Sequence, residues 1–444
     1  MKYTYFSLLV LLLTGFSSRA QDTIQVSNSI SQNATLQECI DYALKNQASV
    51  QQALIDEEIG KKDIASALSG WFPQISANAN YNYNIKIPTS AFGDEVVQIG
   101  QKHTSALVFQ ADQKILDPSL IQASKAAQYV RLQNAQNTEN SKINITVAVS
   151  KAFYDVLTSE EQIKIINENI ARIKKQLSDA NARYETGLVD KTDFKRAQIT
   201  LSNTEADKKR TVEMLKYKYA YLKELVGLDI NHPLQLSYDG KHMENEMLVD
   251  TTQNLQLERR IEYQQLLTQQ RLQQINTQYN KWTFLPNLSA FYNYAWDWRT
   301  NDGFSNLYDT DYPRSVLGLT LSMPIFQGTK RIQEIKKSKL QEQRIDWDLI
   351  NLKNQINTDY QQALATYKSN LNDWNTAKEN VELSKEVYNT IKLQYDEGIK
   401  TYLDLMTAET DLRTTQINYL NALYAVLSGK LDVQQALGNI SFNQ

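Results

Sequence analysis

Residues 74–87, QISANANYNYNIKI, alternate without interruption. Ile75, Ala77, Ala79, Tyr81, Tyr83, Ile85 and Ile87 share one parity, against Gln74, Ser76, Asn78, Asn80, Asn82, Asn84 and Lys86. A period of two predicts a strand with one apolar and one polar face. The pattern returns at 287–298, where Leu288, Ala290, Tyr292, Tyr294, Trp296 and Trp298 oppose Asn287, Ser289, Asn293 and Asp297. A third strand is expected at 315–325, with Leu317, Leu319, Leu321 and Met323 on one parity. A weaker fourth falls at 104–115, where Leu107, Phe109 and Ala111 share a face.

Elsewhere the period is helical. Residues 119–185 and 329–396 contain neither proline nor glycine, so each predicts an unbroken rod of about 100 Å at 1.5 Å per residue. In the second, Ile345, Leu349, Leu352, Ile356, Tyr360, Ala363, Tyr367, Leu371, Trp374, Ala377 and Val381 form one stripe. Their mean spacing is 3.6 residues, whereas a strict heptad repeat of 3.5 would impose a left-handed supercoil. A nearly straight rod packed along its length is expected; a conventional antiparallel coiled coil is the alternative.

The elements come in two copies. WFPQISANANYNY at 71–83 resembles TFLPNLSAFYNYAW at 283–296, with Pro73 and Pro286 213 residues apart. RYETGLVDKTDFKRAQ at 183–198 resembles QYDEGIKTYLDLMTAE at 394–409, and Gly187 and Gly398 are separated by 211. LVG at 225–227 and ALG at 436–438 repeat that 211. Three landmarks at nearly one register predict a duplicated helix–strand–strand–helix–helix unit. The expected division is 1–20, a signal peptide; 21–228, the first repeat with its tip near 187–192; 229–251, a linker; 252–438, the second repeat with its tip near 398–403; and 439–444, a tail. The first helix is expected over roughly 35–70 and its second copy over roughly 252–282.

The N-terminus supplies an address. Met1-Lys2, an apolar run ending LLVLLLTGF, and small residues Ser18 and Ala20 before Gln21 form a secretory signal pattern. No cysteine stands beside the expected cut, which argues against a lipid anchor there. After residue 20 no segment is apolar enough for a membrane-spanning helix. Export then leaves a soluble protein or a β-barrel. Charge is balanced, 47 basic against 50 acidic residues, and gives nucleic-acid binding no electrostatic support. Cys39 is the single cysteine, so no intrachain disulfide forms. His103, His232 and His242 are scattered, with no metal-ligand spacing and no phosphate-binding glycine loop. No enzyme activity, cofactor or metal is expected.

A soluble sandwich would need a second sheet, and the chain offers few further strands. In a membrane barrel the apolar parity faces lipid and the asparagine-rich parity faces water, with Tyr81, Tyr83, Tyr292, Tyr294, Trp296 and Trp298 suited to an interfacial aromatic girdle. Four strands cannot close, and an open edge cannot stand in lipid. Two chains would supply eight strands and three would supply twelve; only the wider barrel leaves a useful channel, which favours a homotrimer.

In LQECIDYALKN, WFPQIS, FLPNLS, LDPS, FQGTK and the paired tip motifs RYETGLVDKTDF and QYDEGIKTYLDL, the chain resembles the TolC-like outer-membrane efflux proteins, the outer membrane factors. The resemblance spans essentially the whole mature chain. It implies a mainly α fold with a β-barrel part: four strands per chain in a 12-stranded trimeric outer-membrane barrel, continuing into an α-helical periplasmic tunnel. It further implies an exit duct of a tripartite efflux or type I secretion system. Its partners would be further copies of itself, a periplasmic adaptor, an inner-membrane transporter and outer-membrane lipid. The expected cargo is small toxic compounds, with secreted polypeptides as the variant. The rival is an exported coiled-coil structural or adhesive protein without a pore, which leaves the amphipathic strands unexplained.

The resemblance also assigns the tips. Asp404 matches an acid at the periplasmic constriction, and Thr407 stands where some members carry a second acid. Tyr395 and Lys400 match latch positions, with Thr192 and Asp193 opposite. Gly187, Leu188, Val189, Gly398, Ile399 and Thr401 form the exposed turns expected to dock the adaptor. From residue type alone, Asp404 reads equally as a carboxylate favoured by a helix N-terminus.

Overall fold

A computed structural model of the chain describes residues 33–187, 190–237, 243–244 and 246–440. The expected signal peptide, Leu188 and Val189 lie outside these residues. In chain order the main elements are β1 (Asn33–Ala34), α1 (Leu36–Asn46), α2 (Ala48–Leu68), β2 (Gln74–Tyr83), β3 (Thr89–Phe92), β4 (Glu95–Gln98), β5 (His103–Leu116), α3 (Pro118–Glu185) and α4 (Lys191–Val226). Then follow β6 (Gln235–Leu236), α5 (Ile261–Trp282), β7 (Asn287–Thr300), β8 (Asp311–Ser322), α6 (Lys330–Asp396) and α7 (Tyr402–Leu437).

The two rods are unbroken helices of 68 and 67 residues. Each starts where the sequence supplies a stop for the preceding strand: Asp117 caps α3 by accepting from the Ser119 amide, with Pro118 at the first helical position. The region read as one helix over 35–70 is two. Gln47 adopts an extended backbone, and its side-chain oxygen accepts from the Ser49 and Val50 amides at 2.5 and 3.1 Å. It therefore ends α1 and caps α2. The second copy starts later than expected, at Ile261, after a short 3-10 turn at Leu257–Arg259.

The four long strands form one antiparallel sheet in the order β2–β5–β7–β8. Registers keep parity across all three pairings, so Ile75, Ala111, Tyr292 and Leu317 stand in one row across the sheet. Ser76, Gln110, Asn293 and Val316 form the next row on the opposite face. Away from the Tyr81 and Trp298 end the apolar face is bare: Ile75 is 77% exposed, Leu317 78% and Leu319 70%. Strands β2 and β8 are the free edges.

Alternation continues to Ile87, but β2 stops at Tyr83. Asn84 turns inward there, its amide donating to Lys102 O at 2.8 Å and its side chain to Gln101 O at 2.7 Å. Beyond it, β3 and β4 make a small separate hairpin turning at Gly93. The β7–β8 loop folds back over the apolar face. Phe304 meets Tyr81 edge-on at 5.2 Å, Tyr308 meets Trp298 at 5.3 Å, and Leu307 is fully buried.

Two hydrophobic clusters organise the helices. The larger packs α1 and the middle of α3 against the C-terminal half of α7 and the inter-repeat segment, around Phe153, Val226, Met243, Tyr367, Val426 and Leu427. The segment is tied down by hydroxyls from three helices. Tyr154 donates to Glu246, Tyr367 to Met247 O, and Tyr419 to Glu244, at 2.7, 3.0 and 2.5 Å. The smaller cluster lies towards the tips and contains Ala197, Tyr388, Tyr395, Tyr402, Leu405, Ala408 and Leu412. The α6 stripe faces inward, with Ile345, Ile356, Tyr360, Tyr367 and Trp374 all buried.

The repeat glycines differ in kind. Gly187, Gly227, Gly398 and Gly438 all have positive φ, from 70 to 81°. A Cβ at Gly227 would lie 2.9 Å from Asn46 O, and one at Gly438 2.6 Å from Arg259 O, whereas nothing stands within 4 Å at Gly187 or Gly398. Alanine at any of the four incurs about 1 kcal/mol of backbone strain. Gly227→Ala and Gly438→Ala add a clash with neighbouring backbone, so thermal melts should fall clearly further for this pair than for Gly187→Ala and Gly398→Ala.

Candidate functional site at the helical tips

Both hairpins reverse through a glycine followed by a capped helix. After α6, Gly398 takes φ 76°, its amide donating to Tyr395 O at 3.0 Å and that of Ile399 to Gln394 O at 2.8 Å. These bonds satisfy the last carbonyls of the rod. Thr401 then caps α7 reciprocally. The Asp404 amide donates to Thr401 Oγ1 at 3.2 Å, and Asp404 Oδ2 accepts from the Thr401 amide at 3.0 Å and its hydroxyl at 2.7 Å. The Thr401 side-chain and backbone bonds, with a smaller contribution from Lys400, hold the Asp404 carboxyl below the usual aspartate range. At the first tip Asp190 does the same work, accepting from the Thr192 amide and hydroxyl at 3.0 and 3.1 Å.

Asp404 is thus the helix-capping carboxylate that its residue type allowed, and it sits at the very start of α7. Thr407 is exposed one turn on, its hydroxyl donating to Leu403 O at 2.9 Å. Tyr395 is buried, edge-on to Tyr402 at 6.1 Å, with the Arg183 guanidinium 4.8 Å over its ring. Lys400 and Thr192 are exposed and Asp193 is half-buried. Among the described residues of the single chain, no ion pair joins Lys400 to Asp193. Gly187, Gly398, Ile399 and Thr401 all lie exposed at the turns, Ile399 at 72%.

A further group stands above the tip. Glu409, on α7, is buried and accepts from three residues of α3: Asn169 at 3.1 Å, Arg172 at 3.0 Å and Gln176 at 2.6 Å. Positions 169, 172 and 176 lie on one face of a helix, so α3 presents a converging row of donors. Burial pushes the Glu409 carboxyl up, against the pull of Gln176, Arg172 and Arg413. Sequence reasoning passed over this residue. Its signal was a carboxylate inside the apolar series Leu405, Ala408, Leu412, where a solvated face would not place one.

The sequence signature described as "Outer membrane efflux protein" matches residues 39–228 and 253–439, one match for each repeat. The chain belongs to the outer membrane efflux protein family. It is an outer-membrane channel protein, with its helical part on the periplasmic side. Outer membrane protein TolC of Vibrio cholerae is 21% identical over 410 residues, covering 91% of each chain. Among solved structures, CusC superposes with a TM-score of 0.75 at 15% identity, covering 95% of this chain and 99% of that one. The open state of the Neisseria gonorrhoeae MtrE outer membrane channel gives a TM-score of 0.73 at 18% identity and 95% coverage of both. Likeness at these identities fixes the fold of this efflux-family chain.

Because the Asp404 carboxyl is held low, its capping bonds are complete above the ordinary aspartate pKa of about 4 and are lost as pH falls through the lowered value. Measured relative to the intrinsic rate of the unprotected chain at each pH, hydrogen exchange at the first amides of α7 should therefore accelerate on acidification, that is, their protection should fall. Thr401→Ala should produce the same local acceleration at neutral pH, leaving the large cluster's amides protected.

Proposed function

We propose that three copies of this chain form one continuous exit duct, a twelve-stranded barrel in the outer membrane opening into a periplasmic helical tunnel. The observation that carries the proposal is the four-stranded sheet with two free edges and a bare apolar face. In hydrocarbon every backbone donor and acceptor must be paired, so β8 of one copy must meet β2 of the next. An uncovered apolar face on α6, including Leu340, Trp347, Leu383 and Val387, supports the same association along the rods.

In this reading the polar parity lines the barrel and leaves it wide and unselective. Selection falls to the other end, where threefold symmetry gathers three Asp404 carboxylates at the aperture, flanked by Thr407. A ring of acids favours cations. The capping role of Asp404 is compatible with this, since it fixes the carboxylate at the helix start. Between neighbouring hairpins, Tyr395 and Lys400 face Thr192 and Asp193 as a latch. The tips, at Gly187 with the following Leu188 and Val189 of the sequence and at Gly398–Thr401, dock a periplasmic adaptor, which couples the duct to an inner-membrane transporter delivering small toxic compounds.

Purified protein in planar bilayers tests the core of this reading. It should form stable conducting pores; a detergent-free soluble rod without conductance would overturn the duct. Within conducting pores, Asp404→Asn should weaken cation preference and block by divalent ions, and unchanged selectivity would remove Asp404 from the aperture. In cells, a photo-cross-linker at Lys191 or Lys400 should capture a periplasmic adaptor, and capture of none would remove the tips as its docking site.

A further inference from the structure

Helix α7 is buried in two separate places. Leu405, Ala408, Glu409 and Leu412 are buried near the tip, and Leu420 to Leu437 contribute eight buried hydrophobic residues to the upper body. Between them, from Arg413 to Tyr419, no residue is fully buried. The upper half of α7 is therefore fixed in the large cluster, while its first turns are held by a small one. Within that small cluster, Tyr388, Tyr395, Tyr402, Leu405, Ala408 and Leu412 belong to the α6–α7 hairpin itself, and among the described residues only Ala197, with the half-buried Leu177, comes from the α3–α4 hairpin. Apolar packing thus ties the tip of α6–α7 to itself far better than to its neighbour.

What crosses between the hairpins is polar. Asn169, Arg172 and Gln176 converge from α3 on both oxygens of Glu409, and Arg413 pairs with Asp207 of α4 at 3.5 Å. The second contact is long and half-exposed and worth little, whereas the Glu409 group is enclosed. The ring of Tyr388 on α6 lies 5.8 Å from the Arg172 guanidinium and closes the group from the third side. Even so, Arg172 Nη2 and the Tyr402 hydroxyl are buried without a hydrogen-bond partner. Both oxygens of the carboxylate are satisfied, whereas these two neighbouring groups have no partner, so the integrity of the network depends on Glu409.

We infer that Glu409 is the positioning residue that pins the α6–α7 tip against α3, a lock within one chain that sets the resting position of the aperture. The inference rests on the proposal that the start of α7 lines that aperture. Five residues separate Asp404 from Glu409, about 7.5 Å along the helix, so a displacement at the lock is carried directly to the aperture. The directionality of the three donors matters more than their strength. An apolar contact would tolerate sliding of α7 along α3, whereas a carboxylate held by three donors on successive turns has one register.

Two measurements on the full chain test this. The first is the distance between spin labels at positions 168 and 410, attached to exposed sites on α3 and α7 in a Cys39→Ala background and read by pulsed electron paramagnetic resonance. Glu409→Gln puts an amide against the Gln176 amide and weakens the Arg172 pair; the distribution should broaden and move to longer separation. Gln176→Leu, which leaves the Arg172 pair intact, should do so to a smaller extent. The exchanged pair Arg172→Glu with Glu409→Arg should narrow the distribution again relative to either single change. The second measurement is single-channel conductance, which should rise in Glu409→Gln and return towards the starting value in the exchanged pair. An unchanged distance distribution in a folded Glu409→Gln protein overturns the lock. A broadened distribution with unchanged conductance means that Glu409 does not set the aperture, and also overturns the proposal. Absence of any conductance in the unsubstituted protein would instead count against the duct, leaving the distance measurement to decide whether Glu409 pins α7.

Discussion

Unpaired backbone groups at the edges of a four-stranded sheet are the constraint on which the rest of this molecule depends. In water, strands β2 and β8 could hydrogen-bond to solvent. In a bilayer they cannot, and each unpaired group costs several kcal/mol. The bare apolar face rules out a comfortable existence in water and the free edges rule out a solitary one in lipid. Association follows from the two together, before any contact between chains is considered. In the proposed trimer the long helices inherit a symmetry imposed at the barrel, which accounts for apolar side chains such as Trp347 left uncovered on α6.

The duplication divides labour unequally. Both repeats use the same device to reverse the chain, a positive-φ glycine and a capping side chain, but the caps differ: Asp190 at one tip and a Thr401–Asp404 box at the other. The second device places a carboxylate one turn into the helix rather than ahead of it. Among the described residues, only the second repeat carries a buried acid above its tip. The inter-repeat segment, held by tyrosine hydroxyls from α3, α6 and α7, keeps the two copies in fixed relation at mid-height. Differences between them can then be expressed at the ends.

Much of this was legible in the sequence because membrane strands and long packed helices obey strict periods. Parity at 74–83 and 287–298 survived into the registers unchanged. The stripe from Ile345 to Trp374 became the buried side of α6. The break at Gln47 was not legible, since neither proline nor glycine marks it and glutamine is an unusual cap. The β3–β4 hairpin was overlooked although Gly93-Asp94 between short apolar runs is a hairpin signal. Asp404 carried two readings that residue type could not separate, and its bonds to Thr401 establish one of them without touching the other. Whether Lys400 reaches an acid is a matter of neighbouring copies, to which a motif on one chain is blind.

The loop that folds Phe304 and Tyr308 onto Tyr81 and Trp298 marks one end of the lipid-facing wall. At the other end, below the strands, Phe72, Ile325 and Phe326 stand exposed, the last two at 94% and 86%. Strands of ten to fourteen residues separate the two bands. Tilted as barrel strands are, they span a height of about 25 Å, the thickness of an outer-membrane hydrocarbon layer. The wall therefore carries its own waterline at both surfaces. Rods about 100 Å long hang below it, and these bands set how deep their tips reach into the periplasm.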